Sequence, residues 1–301
     1  MPSSFNPLRQ RFTAAMSKPK ISVVCVTFNS SDSLPDFLKS LEKLPSEEFE
    51  FVFVDNHSDD SSVELIQKWG RASQHIQNEQ NMGWSVANNQ GIGKAKGALI
   101  FFANSDIWFE PNDLQGLAQF LGQHLEFAAA VPQLLNPDGS LQPSLRRLPT
   151  LADLVFQMTG LAFLFPKSFF NRWKMPDFDH QSFREVEQPM ASAFLARREA
   201  VEKIDGLDER FFVFFGDVDL CRRLKEAGLR IAFVPEVKFF HQRGGSTRQM
   251  GVAFYFSSHF GFYRYLWKWA NPLQKPLLLL LWPLVFLTAV GRAVTAALSR
   301  R

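Results

Sequence analysis

The chain has 301 residues, of which 46% are hydrophobic and 32 are phenylalanine, so it is long enough to bury a large core. Its formal net charge of +3 suits an anionic membrane surface or a phosphorylated substrate and is too weak to indicate a nucleic-acid partner. Cys25 and Cys221 lack metal-site spacing, which predicts buried free thiols in a reducing compartment rather than a disulfide scaffold. Residues 1–18 lack the apolar stretch of a secretory signal, so we expect a cytoplasmic catalytic part.

Strand-like and helix-like patterns alternate through the first third of the chain. Residues 1–19 are polar and predict a flexible N-terminal arm. Strands are expected at residues 21–26, 49–54, 75–77 and 99–103, and helices at residues 34–44, 63–69 and 85–95. Pro111 is expected to open the next helix. This order with short loops predicts an α/β fold with a doubly wound parallel sheet flanked by helices.

The strand at residues 99–103 is apolar on both faces and ends abruptly in Asn104, Ser105 and Asp106. In an open α/β sheet, ligands bind beyond the carboxyl ends of the strands. A carboxylate at this position can hold a divalent metal ion, or it can simply cap a turn. The residues alone favour neither interpretation.

The turn after the first strand carries no glycine. Residues 26–31 therefore lack the G-x-G-x-x-G loop that holds a dinucleotide, and the chain has no P-loop. A nucleotidyltransferase would be expected to carry a glycine-rich basic loop at this turn, so its absence argues against that class. A nucleotide can still bind through its base and a metal ion.

Two acidic residues open a helix predicted at residues 217–227, directly after the aromatic run of residues 211–215. Asp217 and Asp219 are two positions apart, and such residues do not share a helix face. At most one of them can therefore face a substrate. Helix capping alone would also explain acidic residues in a first turn.

Residues 133–187 carry the weakest signals. Arg146 and Arg147 either face phosphate groups or remain solvated at the surface. Residues 151–170 are apolar and aromatic, which fits either core or a surface for a lipid acceptor.

The C-terminal segment, residues 251–301, changes in composition. Its uncharged run at residues 277–290 has 14 residues, contains Pro283 and is followed by Arg292. A spanning helix needs ~20 apolar residues, so the run predicts an interfacial or re-entrant membrane anchor. A packing helix or an oligomer contact is the alternative.

Ordered motifs along most of the chain resemble those of inverting family 2 glycosyltransferases. Four early motifs lie at residues 23–29, 54–59, 81–91 and 102–106. Three later motifs, at residues 197–212, 217–223 and 241–246, are similar to the rhamnosyltransferase-like branch. The resemblance covers residues 20–250, which would form the catalytic domain. It implies a GT-A fold, a nucleoside diphosphate sugar donor and a divalent metal ion, Mg²⁺ or Mn²⁺.

The resemblance also implies roles for residues of the early motifs. Asp55 would hold the pyrimidine base of the donor, and Thr27, Asn29 and Asn81 would line the nucleotide cleft. Asp106 would ligate the metal ion. Asn104 stands on the donor side, where other GT-A enzymes often have a second aspartate.

Residues of the later motifs complete the expected site. The family pattern favours Asp217 as the general base and leaves Asp219 to cap the helix or position its neighbours. His241 is either a further metal ligand, which would favour Mn²⁺, or a loop histidine bonded to backbone. Arg146 is the candidate for the donor phosphates.

Two positions depart from the family pattern. Gly216 replaces a usual acidic residue, which predicts a lower pKa for Asp217, and Ser192 replaces a usual glycine on the acceptor side. The chain also lacks the Q-x-x-R-W signature of processive relatives, which favours transfer of a single sugar.

The resemblance therefore implies transfer of one sugar, L-rhamnose from a dTDP donor or another sugar from a UDP donor, onto a lipid-linked or polysaccharide acceptor. That reaction would belong to cell-envelope glycan synthesis at the inner face of the membrane. The alternative is a catalytically weakened sugar-nucleotide-binding scaffold protein, which Gly216 supports best.

Overall fold

A computed structural model of the protein describes residues 21–242 and 251–298. The arm expected at residues 1–19 and the last four positions of the motif at residues 241–246 lie outside the described residues. The strands are β1 (Ile21–Thr27), β2 (Phe49–Asp55), β3 (Gln74–Gln77), β4 (Leu99–Asn104), β5 (Ile107–Trp108), β6 (Phe127–Leu135), β7 (Leu145–Arg146), β8 (Arg184–Val186), β9 (Gln188–Pro189), β10 (Ala193–Arg197) and β11 (Arg230–His241). The α-helices are α1 (Leu34–Glu42), α2 (Ser62–Trp69), α3 (Trp84–Lys94), α4 (Pro111–Gln123), α5 (Leu151–Met158), α6 (Leu161–Leu164), α7 (Arg198–Lys203), α8 (Gly216–Glu226), α9 (Ala253–Trp269) and α10 (Gln274–Leu298).

One nine-stranded sheet organises the described chain, in the order β3-β2-β1-β4-β10-β6-β11-β5, with β8 paired to β11. Strands β3, β2, β1 and β4 are parallel, as the alternating pattern predicted. Strand β10 is antiparallel to both β4 and β6, so the sheet is mixed beyond β4. The predicted α/β class is confirmed.

Apolar clusters cover both faces of the sheet. Helices α1, α2 and α4 contribute to one cluster, and α3, α7 and α8 contribute to the other. Burial on both faces explains why apolar residues occupy successive positions in most of β1, β2 and β4 instead of alternating with polar ones. Cys25 and Cys221 are buried free thiols in this core, as expected.

A third apolar cluster joins the C-terminal helices to the rest of the chain. It contains Phe211 and Phe215 from the loop before α8, Tyr265 from α9 and Val285 from α10. The aromatic run at residues 211–215 is therefore partly core, and it connects α9 and α10 to the helix that carries Asp217.

The C-terminal helix is longer than the uncharged run of 14 residues. Helix α10 has 25 residues and continues through both Pro283 and Arg292, so its length no longer falls short of a membrane-spanning helix. Proline removes one helical hydrogen bond and can kink a helix without ending it. Arg292 does not interrupt the helix because arginine is a good helix former, and its guanidinium donates to the Gln157 carbonyl at the end of α5.

Candidate active site

The carboxyl ends of β1 and β4 lie side by side and form the base of the candidate site. Val26 in β1 is the register partner of Asn104 in β4. The chain leaves β4 at Asn104 and turns through Ser105 and Asp106, both buried. The Asn104 amide donates to Ser192 Oγ at 3.3 Å, which connects the end of β4 to the loop before β10.

A short antiparallel pairing brings His241 to Asp106 from 135 positions away in the sequence. His241 pairs with Ile107 where β11 meets β5, and the Gln242 N–H donates to the Asp106 carbonyl at 2.8 Å. As a result, His241 Nε2 lies 3.3 Å from Asp106 Oδ1. Both side chains are buried.

Gln142 orients the His241 ring. Its Oε1 lies 2.6 Å from His241 Nδ1, while its Nε2 donates to the His241 carbonyl at 3.0 Å. A proton on Nδ1 that is donated to Gln142 leaves the lone pair of Nε2 directed at Asp106. Gln142 was not predicted, because no local pattern connects it to a histidine 99 positions later.

These residues fit a divalent cation. Asp106 Oδ1 is buried and makes no hydrogen bond to any of residues 21–242 or 251–298, which is unusual for a carboxylate oxygen. A carboxylate, an imidazole with an orienting partner, and oxygens from a diphosphate and water form a common ligand set. No group of three or more His, Cys, Asp or Glu side chains suited to a metal occurs in the described part of the chain, so the substrate would supply the remaining ligands.

Asp217 lies at the start of α8 and lines the same cleft as Asp106 and His241. Burial raises the pKa of its carboxyl above the usual range, and the Val218 and Ala191 N–H groups and the Arg146 guanidinium oppose that rise. The expectation from Gly216 concerned only the missing neighbouring charge, and it stays a prediction about this chain relative to its family; burial is a separate and larger cause that acts in the opposite direction.

Packing explains why position 216 is occupied by glycine. A Cβ at this position would lie 2.6 Å from Ser85 Oγ and 3.2 Å from the Trp84 ring. A carboxylate side chain here would collide with the first turn of α3, so the departure from the family pattern follows from a close approach of α8 to α3.

Asp219 points away from the cleft, as helical spacing predicted. Its side chain is fully buried and accepts hydrogen bonds from Arg223 Nε and Trp269 Nε1, both at 2.9 Å. Lys268 Nζ lies 2.7 Å from the same carboxylate and also bonds to Asp208. Asp219 is thus the centre of a buried ion-pair network between α8 and α9, a much larger role than helix capping.

The cleft has a volume of about 500 Å³, within the usual range for small-molecule sites. Its lining contains these predicted residues: Asn81, Asn104, Asp106, Arg146, Asp217 and His241. Arg146 also stacks over the Trp173 ring, with the guanidinium carbon 4.9 Å from the ring centre.

Thr27, Asn29 and Asp55 lie at the ends of β1 and β2, outside the set of lining residues. Thr27 Oγ1 donates to Asp55 Oδ1 at 2.8 Å, and the Ser58 N–H donates to Asp55 Oδ2 at 2.8 Å. Asn29 adopts a left-handed backbone with φ of 46° and accepts from the Asp59 N–H. These residues fix the loops beside the cleft.

Several lining residues were not predicted, among them Phe28, Asn56 and Trp84. The Asn56 amide donates to the Gly83 carbonyl at 3.1 Å, which holds the N-x-G turn against the end of β2. Gly83 has φ of 83°, and a Cβ there would lie 2.5 Å from the Phe212 carbonyl oxygen. Trp84 could have been predicted as a site residue, because it is a large aromatic residue that directly follows the glycine of this turn.

Comparisons with known proteins agree with this architecture. A family model described as glycosyl transferase family 2 matches residues 22–205. The chain is 27% identical over 243 residues to an N-acetylglucosaminyl-diphospho-decaprenol L-rhamnosyltransferase of Mycobacterium tuberculosis, covering 75% of this chain and 77% of that protein. It is 28% identical over 145 residues to the rhamnosyltransferase WbbL of Escherichia coli, covering 47% of this chain and 51% of that protein.

Solved structures show the same fold at lower sequence identity. A mannosyltransferase of Pyrobaculum calidifontis, solved with GDP-Man and Mn²⁺, superposes with a TM-score of 0.59 at 16% identity, covering 96% of this chain and 80% of that one. TarS 1–349 of S. aureus, solved with UDP-GlcNAc, gives a TM-score of 0.56 at 17% identity, and the match covers 80% of this chain and 65% of that one.

Proposed function

The chain belongs to glycosyl transferase family 2 and resembles its rhamnosyltransferases, and from that membership we propose that it transfers a single sugar with inversion in cell-envelope glycan synthesis. The proposed donor is dTDP-L-rhamnose, and the proposed acceptor is a lipid-linked saccharide. The mycobacterial relative is named for a diphospho-decaprenol substrate, which supports an acceptor of this class.

Asp217 is the proposed general base. A carboxylate at the cleft with a raised pKa is a better proton acceptor than an ordinary surface aspartate. It takes the proton of the acceptor hydroxyl as that oxygen forms a bond to the anomeric carbon. The bond from that carbon to the donor diphosphate breaks on the opposite face, so the configuration inverts.

Asp106 and His241 are the proposed protein ligands for Mg²⁺ or Mn²⁺, with Gln142 holding the imidazole in place. When bound, such a cation stabilises negative charge on the departing diphosphate. Asn104 would contact the sugar diphosphate, and Arg146 would approach the same anion from the Asp217 side of the cleft.

Asp55 and Asn81 are the proposed contacts for the nucleoside, supported by Thr27 and Asn29. The hydrogen bonds from Thr27 and Ser58 fix the orientation of the Asp55 carboxylate, whose oxygens suit the N–H of a pyrimidine base. The side chain of Asn81 accepts from the Gly83 N–H at 2.9 Å, which leaves its amide N–H₂ group available to donate.

We place the enzyme at the inner face of the cell membrane, with residues 20–250 catalytic and residues 251–301 membrane-associating. In the described part of the chain, α10 is the one helix long and apolar enough to cross a membrane. However, Leu278, Val285, Ala289 and Ala293 form a buried stripe that holds it against the protein. This packing favours a helix that lies in the interface.

The observation that carries the proposal is one cleft that contains the Asp106–His241 pair and Asp217. The test is a panel of dTDP-, UDP- and GDP-sugars incubated with the full-length protein, a lipid-linked acceptor and Mg²⁺ or Mn²⁺. We expect metal-dependent release of nucleoside diphosphate, greatest with dTDP-rhamnose. Tight donor binding without release from any donor would instead favour a sugar-nucleotide-binding scaffold.

A further inference from the structure

Residues 161–169 carry an exposed apolar patch that neither the cleft nor the core uses. Phe163, Leu164, Phe165 and Phe169 are 85%, 65%, 50% and 61% exposed. Four large apolar side chains with this exposure within seven positions are uncommon on a monomer surface and mark a contact site.

The segment below the patch is well ordered. The Asn171 amide donates to the Pro166 carbonyl at 2.8 Å, and Ser168 Oγ donates to the Phe165 carbonyl at 2.8 Å. Phe156 packs edge-on against Phe170 with ring centres 5.0 Å apart. Because the base of the segment is packed and hydrogen-bonded, the exposed side chains are displayed outward by a formed structure.

The patch adjoins α10. Thr288 in α10 contacts Met158 Sδ at 3.0 Å, and Arg292 donates to the Gln157 carbonyl at 2.9 Å. The patch begins a few residues after these contacts. Helix α10 itself leaves Leu280 76% and Leu287 65% exposed. Helix α10 is therefore fixed to the end of α5, from which the patch segment continues.

Charge indicates the chemistry of the partner. Between Asp153 and Asp177 there is no acidic residue, while Lys167, Arg172 and Lys174 are basic. Residues 153–176 therefore carry a net positive charge even though Arg172 is ion-paired with Asp153. An apolar patch with aromatic side chains on a positively charged segment matches an anionic lipid leaflet.

We propose that residues 161–169 insert into an anionic leaflet as a second membrane contact beside the outward face of α10. Two contacts would fix the orientation of the molecule on the membrane, which one helix lying on a surface does not. Trp173, just beyond the patch, packs under Arg146 at the cleft, so the lipid surface would lie near the cleft. The orientation argument rests on the lipid-linked acceptor proposed above.

The test is flotation of the full-length protein with vesicles of phosphatidylethanolamine and phosphatidylglycerol (3:1) and with pure phosphatidylcholine vesicles. The variant carries Phe163→Ser, Phe165→Ser and Phe169→Ser. We expect its partition into anionic vesicles to fall on the order of 10-fold or more, because each change removes buried apolar area from the contact. Phe183→Ser, at another exposed phenylalanine (49%), is the matched control and should partition like the wild type.

The depth to which the patch enters the bilayer is measured separately with Phe163→Trp. Lipids with brominated acyl chains should quench the fluorescence of the added tryptophan. Equal flotation of the triple variant and the wild type, or no quenching, would overturn the proposal while leaving the proposed function standing. If the patch instead joins two copies of the chain, light scattering would give a lower particle mass for the triple variant than for the wild type. That result too would overturn the proposal. Absence of nucleoside diphosphate release from any donor by the wild type would count against the proposed function alone.

Discussion

Asp106 keeps a buried carboxylate oxygen without a hydrogen bond to any residue that the structure describes, beside an imidazole whose other nitrogen is already bonded. A buried acceptor without a hydrogen bond lowers the stability of the fold unless a ligand occupies the position of the missing partner. At the residue scale, this incompleteness is the clearest indication of what the cleft binds.

The first prediction concerns Asp106→Ala. We expect calorimetry to show loss of metal-dependent donor binding, because the variant lacks the carboxylate ligand. The melting temperature should change little, since Oδ1 of the removed carboxylate makes no hydrogen bond to the described residues and the change removes only its 3.3 Å contact with His241. Metal-dependent donor binding equal to that of the wild type would contradict the assignment.

The second prediction concerns Asp217. Its protonated form cannot accept a proton, so turnover should fall as the pH drops through its pKa, which burial raises above the usual value. Asp217→Asn should lower turnover at least ~10²-fold while donor affinity is kept, because the base acts on the acceptor.

Arg146→Gln tests the Asp217 carboxylate by removing the charge of a neighbouring side chain. The Arg146 charge lowers the Asp217 pKa, so its removal should move the acid limb of the rate profile to higher pH. The acid limb of the rate profile belongs to another group if two results are found together. The limb would keep its position in Arg146→Gln, and it would still be present in the residual activity of Asp217→Asn.

Helix α8 has two different roles on two faces. Asp217 faces the cleft, while Asp219 accepts hydrogen bonds from Arg223 in its own helix and from Trp269 in α9. Because both carboxylates are on the first turn, the position of the candidate base depends on how firmly α9 holds that turn. At the element scale, α9 therefore belongs to the support of the active site.

The third prediction is that Asp219→Asn lowers the free energy of unfolding by about 3–5 kcal/mol, since it removes one partner from a buried ion pair. The change is measured by urea denaturation. Asp36→Asn, also in a first helical turn, is the control and should cost only ~0.3–1 kcal/mol. Equal costs for the two variants would show that the buried network contributes nothing beyond helix-end charge.

The whole molecule has the cleft at the carboxyl end of the sheet and an apolar surface on its C-terminal helices. The third apolar cluster joins the two, since Phe215 stacks on Phe262 of α9 at 4.9 Å between ring centres. An acceptor with a sugar and a lipid tail suits a molecule with both features.

The fourth prediction is that Leu280→Ser with Leu287→Ser moves full-length protein from the membrane fraction to the soluble fraction. Both side chains are exposed, so the fold should be kept. Leu278→Ser is the contrasting variant: this residue is buried, so its change should lower stability. Membrane recovery equal to the wild type after both outward changes would show that the outer face of α10 does not hold the protein there.

The sequence by itself determined the α/β fold class, the succession of parallel strands along the chain and the ionisable residues of the cleft, but not most of its apolar lining. Strand runs, helix spacing and strand-end polar residues are local patterns, and parallel strands bring their carboxyl ends together. Only the tertiary structure decided the contact of His241 with Asp106, the support from Gln142 and the direction of the Asp217 pKa shift. These depend on strand pairing between distant segments and on burial, and neither has a local signature. The extent of α10 past Pro283 was likewise visible only in the structure, because a proline can kink a helix without ending it.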